Sequence, residues 1–214
     1  MNGKKVIGIT GVYCAGKNSM ALLLEKRGFP VLDVDKLGHQ VIEIEKERIL
    51  SRFGKDILGS DGNIDRKKLG AKVFGRPQEL SALEEMIHPG VNRETLIWIN
   101  AQNKNACFIN AALLHRSSAF EILDAVIIVE APFLVRLIRA KKRDRLPWTA
   151  LLKRLLSQKK FTSQYFKEKT DIYRVSNIFG CSGFGHSGQG EQGLGNNPEK
   201  RIDEILSLLG IIEA

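Results

Sequence analysis

Residues Lys5 to Asn18 read KVIGITGVYCAGKN, an apolar segment followed directly by a glycine-bearing loop. The segment Lys5–Thr10 is apolar without strict alternation, which is typical of a strand buried on both faces. The loop Gly11–Asn18 has the spacing G-x-x-x-x-G-K, and Ser19–Arg27 has the pattern of a helix that ends at Gly28. A strand, a glycine loop and a helix in this order predict a phosphate-binding loop.

The chemistry of this loop predicts nucleotide binding. Glycines let backbone N–H groups turn inward around a phosphate, and the lysine reaches the β- and γ-phosphates. An ordinary glycine-rich turn with a surface lysine is the alternative, but it does not explain why the two glycines and the lysine fall in this register. The predicted ATP-binding residues are Gly11, Val12, Tyr13, Cys14, Ala15, Gly16, Lys17, Asn18 and Ser19.

The loop departs from its usual pattern at Asn18, where a serine or threonine hydroxyl normally binds Mg²⁺. The amide oxygen of Asn18 is a hard neutral donor, so the sequence predicts a metal ligand of weaker affinity. Ser19 lies one residue later, about 100° around a helix, and is a poor substitute.

A second apolar segment, Val31–Asp35, predicts a second strand that ends in two carboxylates. Residues two apart on a strand point to the same face, so we expect Asp33 and Asp35 to project together where open parallel sheets bind ligands. One carboxylate would accept a hydroxyl proton while the other helps to place Mg²⁺ or water. The alternative is a pair of loop aspartates that cap a helix from Lys36 onward. The nearby phosphate loop favours the first interpretation.

The remainder of the chain alternates between strands and helices. Apolar segments at 106–114 and 125–131 are each followed by helix-like sequence, which predicts an α/β domain with a mainly parallel sheet. The mostly helical stretch 36–105 predicts a lobe beside the sheet. The stretch 133–166 predicts basic amphipathic helices, and the glycine-rich segment 180–197 predicts a flexible loop.

Composition indicates a single domain, 1–214, with enough apolar residues for a core, since 43% of the 214 residues are hydrophobic. No apolar run reaches the ~20 residues of a membrane-spanning helix. Three scattered cysteines and the absence of a signal-peptide pattern predict a cytoplasmic location. The net charge of +9 suits nucleic acid, an anionic membrane, a polyphosphate substrate or simply a solvated basic surface. No recognised nucleic-acid motif is present, so we expect no such partner.

An ordered set of motifs resembles the dephospho-coenzyme A kinase family. The motifs occur in the same order as in that family and extend through most of the chain. They are Ile7–Gly11, Gly16–Lys17, Gly28–Lys36, Arg52–Gly54, Gly62–Leu69, Val73–Phe74, Ile87–Pro89, Leu113–Leu114, Arg143–Asp144, Arg154 and Gln158.

This resemblance implies a P-loop NTPase-type, three-layer α/β fold with a mainly parallel five-stranded sheet. It also implies a helical substrate-binding region at 36–105 and a helical lid at 133–166. The implied activity is ATP- and Mg²⁺-dependent phosphorylation of the 3′-hydroxyl of dephospho-coenzyme A, a small-molecule substrate. We expect a monomer or weak oligomer that has no membrane partner.

The resemblance also assigns roles to individual residues. Asp35 resembles the family's catalytic base and Lys17 its phosphate-binding lysine. Arg143, with Arg139 as a weaker second choice, resembles a lid arginine that approaches the phosphates. The implied substrate-binding residues are Asp33, Arg66 and His88.

One departure lies near the predicted third strand, where the family pattern is D-x-P-L-L-F. The chain reads NAALLH from Asn110 to His115 and so lacks a carboxylate. We interpret His115 as an ordinary histidine without a catalytic role. Asn18 and Asn110 together motivate the alternative of a catalytically impaired nucleotide-binding protein of the same fold. A nucleoside-monophosphate-type kinase is a second alternative, but it explains the segment Gly62–Leu69 less well.

Overall fold

The computed structural model describes residues 4–112, 114, 121–157, 170–178 and 197–213. Five strands form one sheet in the order β2-β3-β1-β4-β5, and all four pairings are parallel. The predicted α/β class and parallel five-stranded sheet are confirmed. The strands are β1 Lys5–Gly11, β2 Val31–Asp33, β3 Ala106–Asn110, β4 Ala125–Glu130 and β5 Asp171–Ser176.

Helices follow β1, β2, β4 and β5, and four of them lie between β2 and β3. In chain order the helices are α1 Lys17–Lys26, α2 Val34–Ile44, α3 Lys46–Phe53, α4 Arg66–Val73, α5 Pro77–Ala101, α6 Phe133–Asp144, α7 Trp148–Ser157 and α8 Pro198–Leu208. A 3₁₀ turn at Lys55–Ile57 follows α3. Among the described residues, none of the helices combines the length and the apolar character that a membrane span requires.

The sheet is buried on both faces, which explains why its strands lack strict polar alternation. One face carries Ile7, Ile9, Phe108 and Ile127, and it packs against Leu24 of α1 and Ile202 of α8. The opposite face carries Val6, Ile109, Val126 and Ile128, and it packs against Ile99 of α5. This sandwich of helices, sheet and helices is the predicted three-layer arrangement.

The helices between β2 and β3 have a hydrophobic cluster of their own. It consists of Ile49, Phe53, Ile57, Ile64, Leu69, Val73 and Leu83. Asp65 begins α4, since its side chain accepts hydrogen bonds from the N–H groups of Lys67 and Lys68. A Cβ atom on Gly90 of α5 would lie 2.7 Å from Cγ1 of Val41, so this glycine allows α5 to pack closely on α2.

The structure corrects the predicted strand Val31–Asp35. The strand ends at Asp33 and α2 begins at Val34, so Asp35 lies in the first turn of a helix. The Asp33 carboxylate accepts a hydrogen bond of 3.2 Å from the N–H of Lys36 and caps that helix. The expectation that both carboxylates project from one strand face is therefore wrong.

Other predicted boundaries shift by a few residues or cannot be compared. The strands predicted at 106–114 and 125–131 end earlier, at Asn110 and Glu130. The basic stretch predicted at 133–166 contains α6 and α7. Its residues 158–166, residues 180–196 of the glycine-rich segment and His115 lie outside the described part of the chain.

Candidate functional site

Two glycines of the phosphate loop stand where no side chain fits. A Cβ atom on Gly11 would lie 2.5 Å from the carbonyl oxygen of Val129 on the neighbouring strand. Gly16 has a φ of 96°, and a Cβ atom there would lie 2.0 Å from Nδ2 of Asn177. The predicted glycine spacing therefore has a physical cause in this fold, which is close packing of the loop against β4 and the end of β5.

The loop presents N–H groups at the start of α1. That helix begins at Lys17, and the first N–H groups of a helix have no partner within it. In the described part of the chain, the N–H groups of Gly16, Lys17 and Asn18 donate to no backbone carbonyl. No acidic residue lies in the first turn of α1. The arrangement favours an anion at this position.

The outer side of the loop is held by two polar side chains. Asn177 is buried, and its Nδ2 donates to the carbonyl oxygen of Ala15 at 3.0 Å. Arg139 of α6 donates to the same carbonyl at 3.1 Å. The sequence patterns do not predict a role for Asn177. Asn177 lies directly after β5, at the edge of the sheet where parallel strands bring functional groups together.

Lys17 and Asp35 meet directly at the mouth of the loop. Lys17 Nζ lies 2.9 Å from Asp35 Oδ2, and the lysine side chain is only 13% exposed. Asp35 Oδ1 also accepts a hydrogen bond of 3.4 Å from the N–H of Ala112. The helix start at Val34 directs this carboxylate toward the loop. Two residues that the sequence singled out separately are thus brought together.

A cavity of about 310 Å³ lies between α2 and α5, beside this ion pair. Asp35, His39 and His88 supply polar groups to a wall that is otherwise mainly apolar. Arg66 NH1 lies 2.8 Å from Nδ1 of His39, so Arg66 stands at the edge of the cavity. Asp33 caps α2, as described above. Of the predicted substrate-binding residues, His88 lines this cavity and Arg66 borders it.

The end of α6 contacts the loop through Tyr13. The Tyr13 hydroxyl donates to the Asp144 carboxylate, and the Arg143 guanidinium lies 5.0 Å from the centre of the Tyr13 ring. Arg143 Nε also donates to Asp144 Oδ1 at 2.7 Å. This hydrogen bond, with that from Tyr13, lowers the pKa of Asp144, while burial raises the pKa of Tyr13. Arg143 therefore lies beside the loop, where it contacts an aromatic ring and a carboxylate.

Asn18 and Asn110 also meet at this edge of the sheet. Asn110 is 2% exposed, and its Nδ2 donates to Oδ1 of Asn18 at 3.3 Å. The described residues contain no group of three or more His, Cys, Asp or Glu side chains placed to hold a metal ion. Asn18 follows Lys17 in the chain, so the amide pair places two neutral oxygens beside the loop.

Comparison with known proteins agrees with the geometry. A family model described as dephospho-CoA kinase matches residues 5–172. A dephospho-CoA kinase from Treponema denticola is 33% identical over 186 residues, which cover 81% of this chain and 82% of that protein. The structure of TT1252 from Thermus thermophilus has a TM-score of 0.74 at 26% identity and covers 100% of both chains.

A second solved structure carries the same name as the family model. The dephospho-CoA kinase from Campylobacter jejuni has a TM-score of 0.60 at 28% identity, with 82% of this chain and 90% of that chain covered. The chain that contains the strand–loop–helix unit around Lys17 matches one family in sequence along most of its length. Its fold matches a solved structure of that family. The resemblance in the motifs is confirmed, and the chain belongs to the dephospho-CoA kinase family.

Proposed function

We propose that this protein transfers the terminal phosphoryl group of ATP to the 3′-hydroxyl of the ribose of dephospho-coenzyme A. The products are coenzyme A and ADP, and the reaction is the last step of coenzyme A synthesis. Membership of the dephospho-CoA kinase family and the glycine loop at the start of α1 both support the proposal. A single contact carries it, the ion pair between Lys17 and Asp35.

This ion pair matters because Asp35 contacts both the phosphate loop and the cavity between α2 and α5. Its Oδ2 lies 2.9 Å from the lysine of the phosphate loop, and its side chain also lines the cavity between α2 and α5. A hydroxyl group bound at the cavity mouth would therefore lie between the carboxylate and the phosphates. Bringing donor and acceptor together in this way is the main task of a phosphoryl-transfer enzyme.

On the nucleotide side, the residues Gly11–Ser19 would bind the phosphates of ATP. The N–H groups at the start of α1 are positioned to donate to phosphate oxygens, and Lys17 supplies a positive charge. The Asp35 carboxylate lies 2.9 Å from that charge and neutralises it. We expect the lysine to exchange this carboxylate for phosphate oxygens when ATP binds.

On the acceptor side, the cavity is large enough for only one part of the substrate. About 310 Å³ is at the lower end of the range for small-molecule sites, so it would hold one portion of dephospho-coenzyme A while the rest extends outward. His88 lines the cavity, and Arg66 stands at its edge beside His39. We assign the region 36–105 to the acceptor and Arg66 to its phosphate groups.

Asp35 is proposed as the group that accepts the hydroxyl proton. Phosphoryl transfer has a loose transition state with little bond formation to the attacking oxygen, so the base contributes less than charge neutralisation. The exposed position of Asp35 leaves it available to a bound hydroxyl. Arg143, on the helix that follows β4, would add positive charge as part of a lid formed by 133–166.

A divalent cation is implied by ATP chemistry, and the donor set fits one that is weakly held. The oxygen of Asn18 accepts from Asn110, and Oδ1 of Asn110 is buried without a partner in the described structure. Both are hard neutral oxygens of the kind that Mg²⁺ accepts. When bound, Mg²⁺ would neutralise charge on the β- and γ-phosphates. We also propose that the protein is cytoplasmic, which its three scattered cysteines support, and that it is a monomer or weak oligomer.

The test is an ADP-release assay with dephospho-coenzyme A, a panel of nucleoside monophosphates, or no acceptor. We expect ADP only with dephospho-coenzyme A, together with a product phosphorylated at the 3′-hydroxyl. Equal turnover with a nucleoside monophosphate would contradict the proposed acceptor. The amide pair Asn18–Asn110 favours a second candidate, a nucleotide-binding protein with impaired catalysis. Tight ATP binding without turnover on any acceptor would establish that alternative.

A further inference from the structure

The side chain of Tyr13 joins the phosphate loop to the far end of α6. Its hydroxyl donates to the Asp144 carboxylate, 131 positions along the chain, and the Arg143 guanidinium lies 5.0 Å from the centre of its ring. Tyr13 is half-buried in these contacts. A loop residue and the last turn of a helix are therefore held together by one aromatic side chain.

Asp144 is the centre of this contact. It accepts hydrogen bonds from Nε of Arg143 at 2.7 Å and from NH2 of the same residue at 3.4 Å. Arg154 of α7 places its NH1 3.6 Å from the other side of the cluster, at Oδ2 of Asp144. One carboxylate thus faces two guanidinium groups, and these three side chains together keep a net positive charge beside the loop. Such a charge favours an anionic ligand.

The donor and acceptor roles in this contact are stable near neutral pH. Burial raises the pKa of Tyr13, so its hydroxyl keeps the proton that it donates. The hydrogen bonds from Arg143 and Tyr13 lower the pKa of Asp144, so this carboxylate stays ionised. The link between the loop and α6 therefore persists under the conditions in which a kinase works.

These contacts fix Arg143 without using all of its donors. The hydrogen bonds to Asp144 involve only the Nε–NH2 edge of the guanidinium, and a guanidinium has further N–H donors on its other edge. The Tyr13 ring, held by its own bond to Asp144, supports the plane of the group through a cation–π contact. The Arg143 side chain is 59% exposed, so a ligand can reach it.

We propose that Tyr13 and Asp144 hold Arg143 in place for the terminal phosphate of ATP and so give the protein a preference for ATP over ADP. The loop and Lys17 would hold the phosphates that lie deeper in the site, most of which ADP also carries. Arg143 comes from α6, outside the loop, and is placed to add a contact that only a triphosphate can use. Tyr13 and Asp144 are thus positioning residues that act through Arg143. The inference rests on the proposed function, because it requires that the loop bind ATP.

The test compares two nucleotides in the absence of turnover. Titration calorimetry at a fixed Mg²⁺ concentration measures the affinity of the full chain for a non-hydrolysable ATP analogue and for ADP. We expect Tyr13→Ala to weaken binding of the analogue by about tenfold, the size of one charge-assisted hydrogen bond, and to leave ADP within about twofold. Tyr13→Phe keeps the ring and loses the bond to Asp144, so we expect a smaller loss, of about threefold.

The matched control is Tyr173→Phe, which removes the same hydroxyl from β5 and is expected to leave both affinities unchanged. A double-mutant cycle then tests whether Tyr13 acts through Arg143. In an Arg143→Ala background, Tyr13→Ala is expected to change the affinity for the analogue by no more than about twofold. A structural role in shaping the loop would not depend on Arg143.

Three results would overturn the inference. The first is an equal loss of affinity for the analogue and for ADP in Tyr13→Ala, because Tyr13 would then only shape the loop. The second is a full tenfold loss in the Arg143→Ala background. The third is an unchanged affinity for the analogue in both Tyr13 variants.

Failure of the inference can be told apart from failure of the proposed function. If the ATP preference depends on Tyr13 but the wild-type protein does not phosphorylate dephospho-coenzyme A, the proposed acceptor is wrong and the inference stands. If the wild-type protein phosphorylates dephospho-coenzyme A but the Tyr13 variants keep its ATP preference, the inference is wrong and the proposed function stands. A wild-type protein that binds neither nucleotide would contradict both.

Discussion

The ammonium of Lys17 and the carboxylate of Asp35 lie 2.9 Å apart, although they are 18 positions apart in the chain. The lysine belongs to the phosphate loop and the carboxylate lines the cavity between α2 and α5. Without this contact the two sites would be neighbours with no shared group. With it, the proposed phosphate-binding charge and the proposed proton acceptor lie at one point between the loop and the cavity.

The two residues are expected to contribute unequally to catalysis. We predict that Lys17→Ala lowers kcat/KM for dephospho-coenzyme A by more than about 10³-fold, because charge on the phosphates loses its compensation. Asp35→Asn is predicted to cost about 10²-fold, because the loose transition state relies little on a base. Steady-state kinetics measure both. Lys36→Ala, an exposed neighbour of Asp35, is the control and is expected to remain within about twofold of wild type. A Lys17→Ala protein with wild-type turnover would exclude the assignment.

The local part of the site could be predicted from sequence because its signals lie within a few residues. The apolar strand, the glycine spacing and the lysine all fall between Lys5 and Asn18, and the structure has β1, the loop and α1 in that order. The cap at Asp65 is equally local, since its carboxylate binds N–H groups two and three residues later. Short-range geometry of this kind depends on backbone preferences that the sequence displays directly.

The remainder depended on packing between distant residues. Asn177 reaches Ala15 across 162 positions and Tyr13 reaches Asp144 across 131, and no periodicity marks such pairs. The prediction that Asp33 and Asp35 share one strand face was wrong for another reason. A strand of three residues is too short for its period to be distinguished from a helix start, so the sequence places Asp35 on the strand, whereas it lies in the first turn of α2.

Gly16 is predicted to be irreplaceable for two separable reasons, its φ of 96° and the 2.0 Å approach of Asn177. Gly28 also has a positive φ, of 80°, but an added Cβ meets nothing within 4 Å. We expect Gly28→Ala to lower the free energy of unfolding by about 1 kcal/mol from backbone strain alone. Gly16→Ala should cost clearly more and also weaken ATP binding. Urea unfolding measures the free energy of unfolding of the two variants, and titration calorimetry measures their affinity for ATP. An equal loss of unfolding free energy in both variants would show that Asn177 does not restrict the position of residue 16.

Cys14 adopts a φ of 60°, which is unusual for a residue with a side chain. Replacing it by glycine removes that strain, so we predict that Cys14→Gly raises the free energy of unfolding by about 1 kcal/mol. The matched variant is Gly28→Cys, which places the same side chain at another positive φ and is expected to destabilise by a similar amount. The urea midpoints of the two variants should move in opposite directions. A loss of stability in Cys14→Gly would mean that contacts of the thiol outweigh the backbone strain.

We predict that the protein loses stability at alkaline pH because of Cys107, which is fully buried on β3. Burial raises the pKa of its thiol to about 11, whereas a thiol in the unfolded chain has a pKa of about 8.5. Between these values the unfolded state has released a proton that the native state retains, so stability falls as the pH rises. The slope contributed by this thiol approaches about 1.4 kcal/mol per pH unit.

Chemical unfolding of wild type and Cys107→Ala at pH 8 to 11 measures this slope. The variant is less stable at pH 8, because a cavity is left, and the difference from wild type should shrink as the pH rises. Parallel curves would show that the thiol ionises equally in both states.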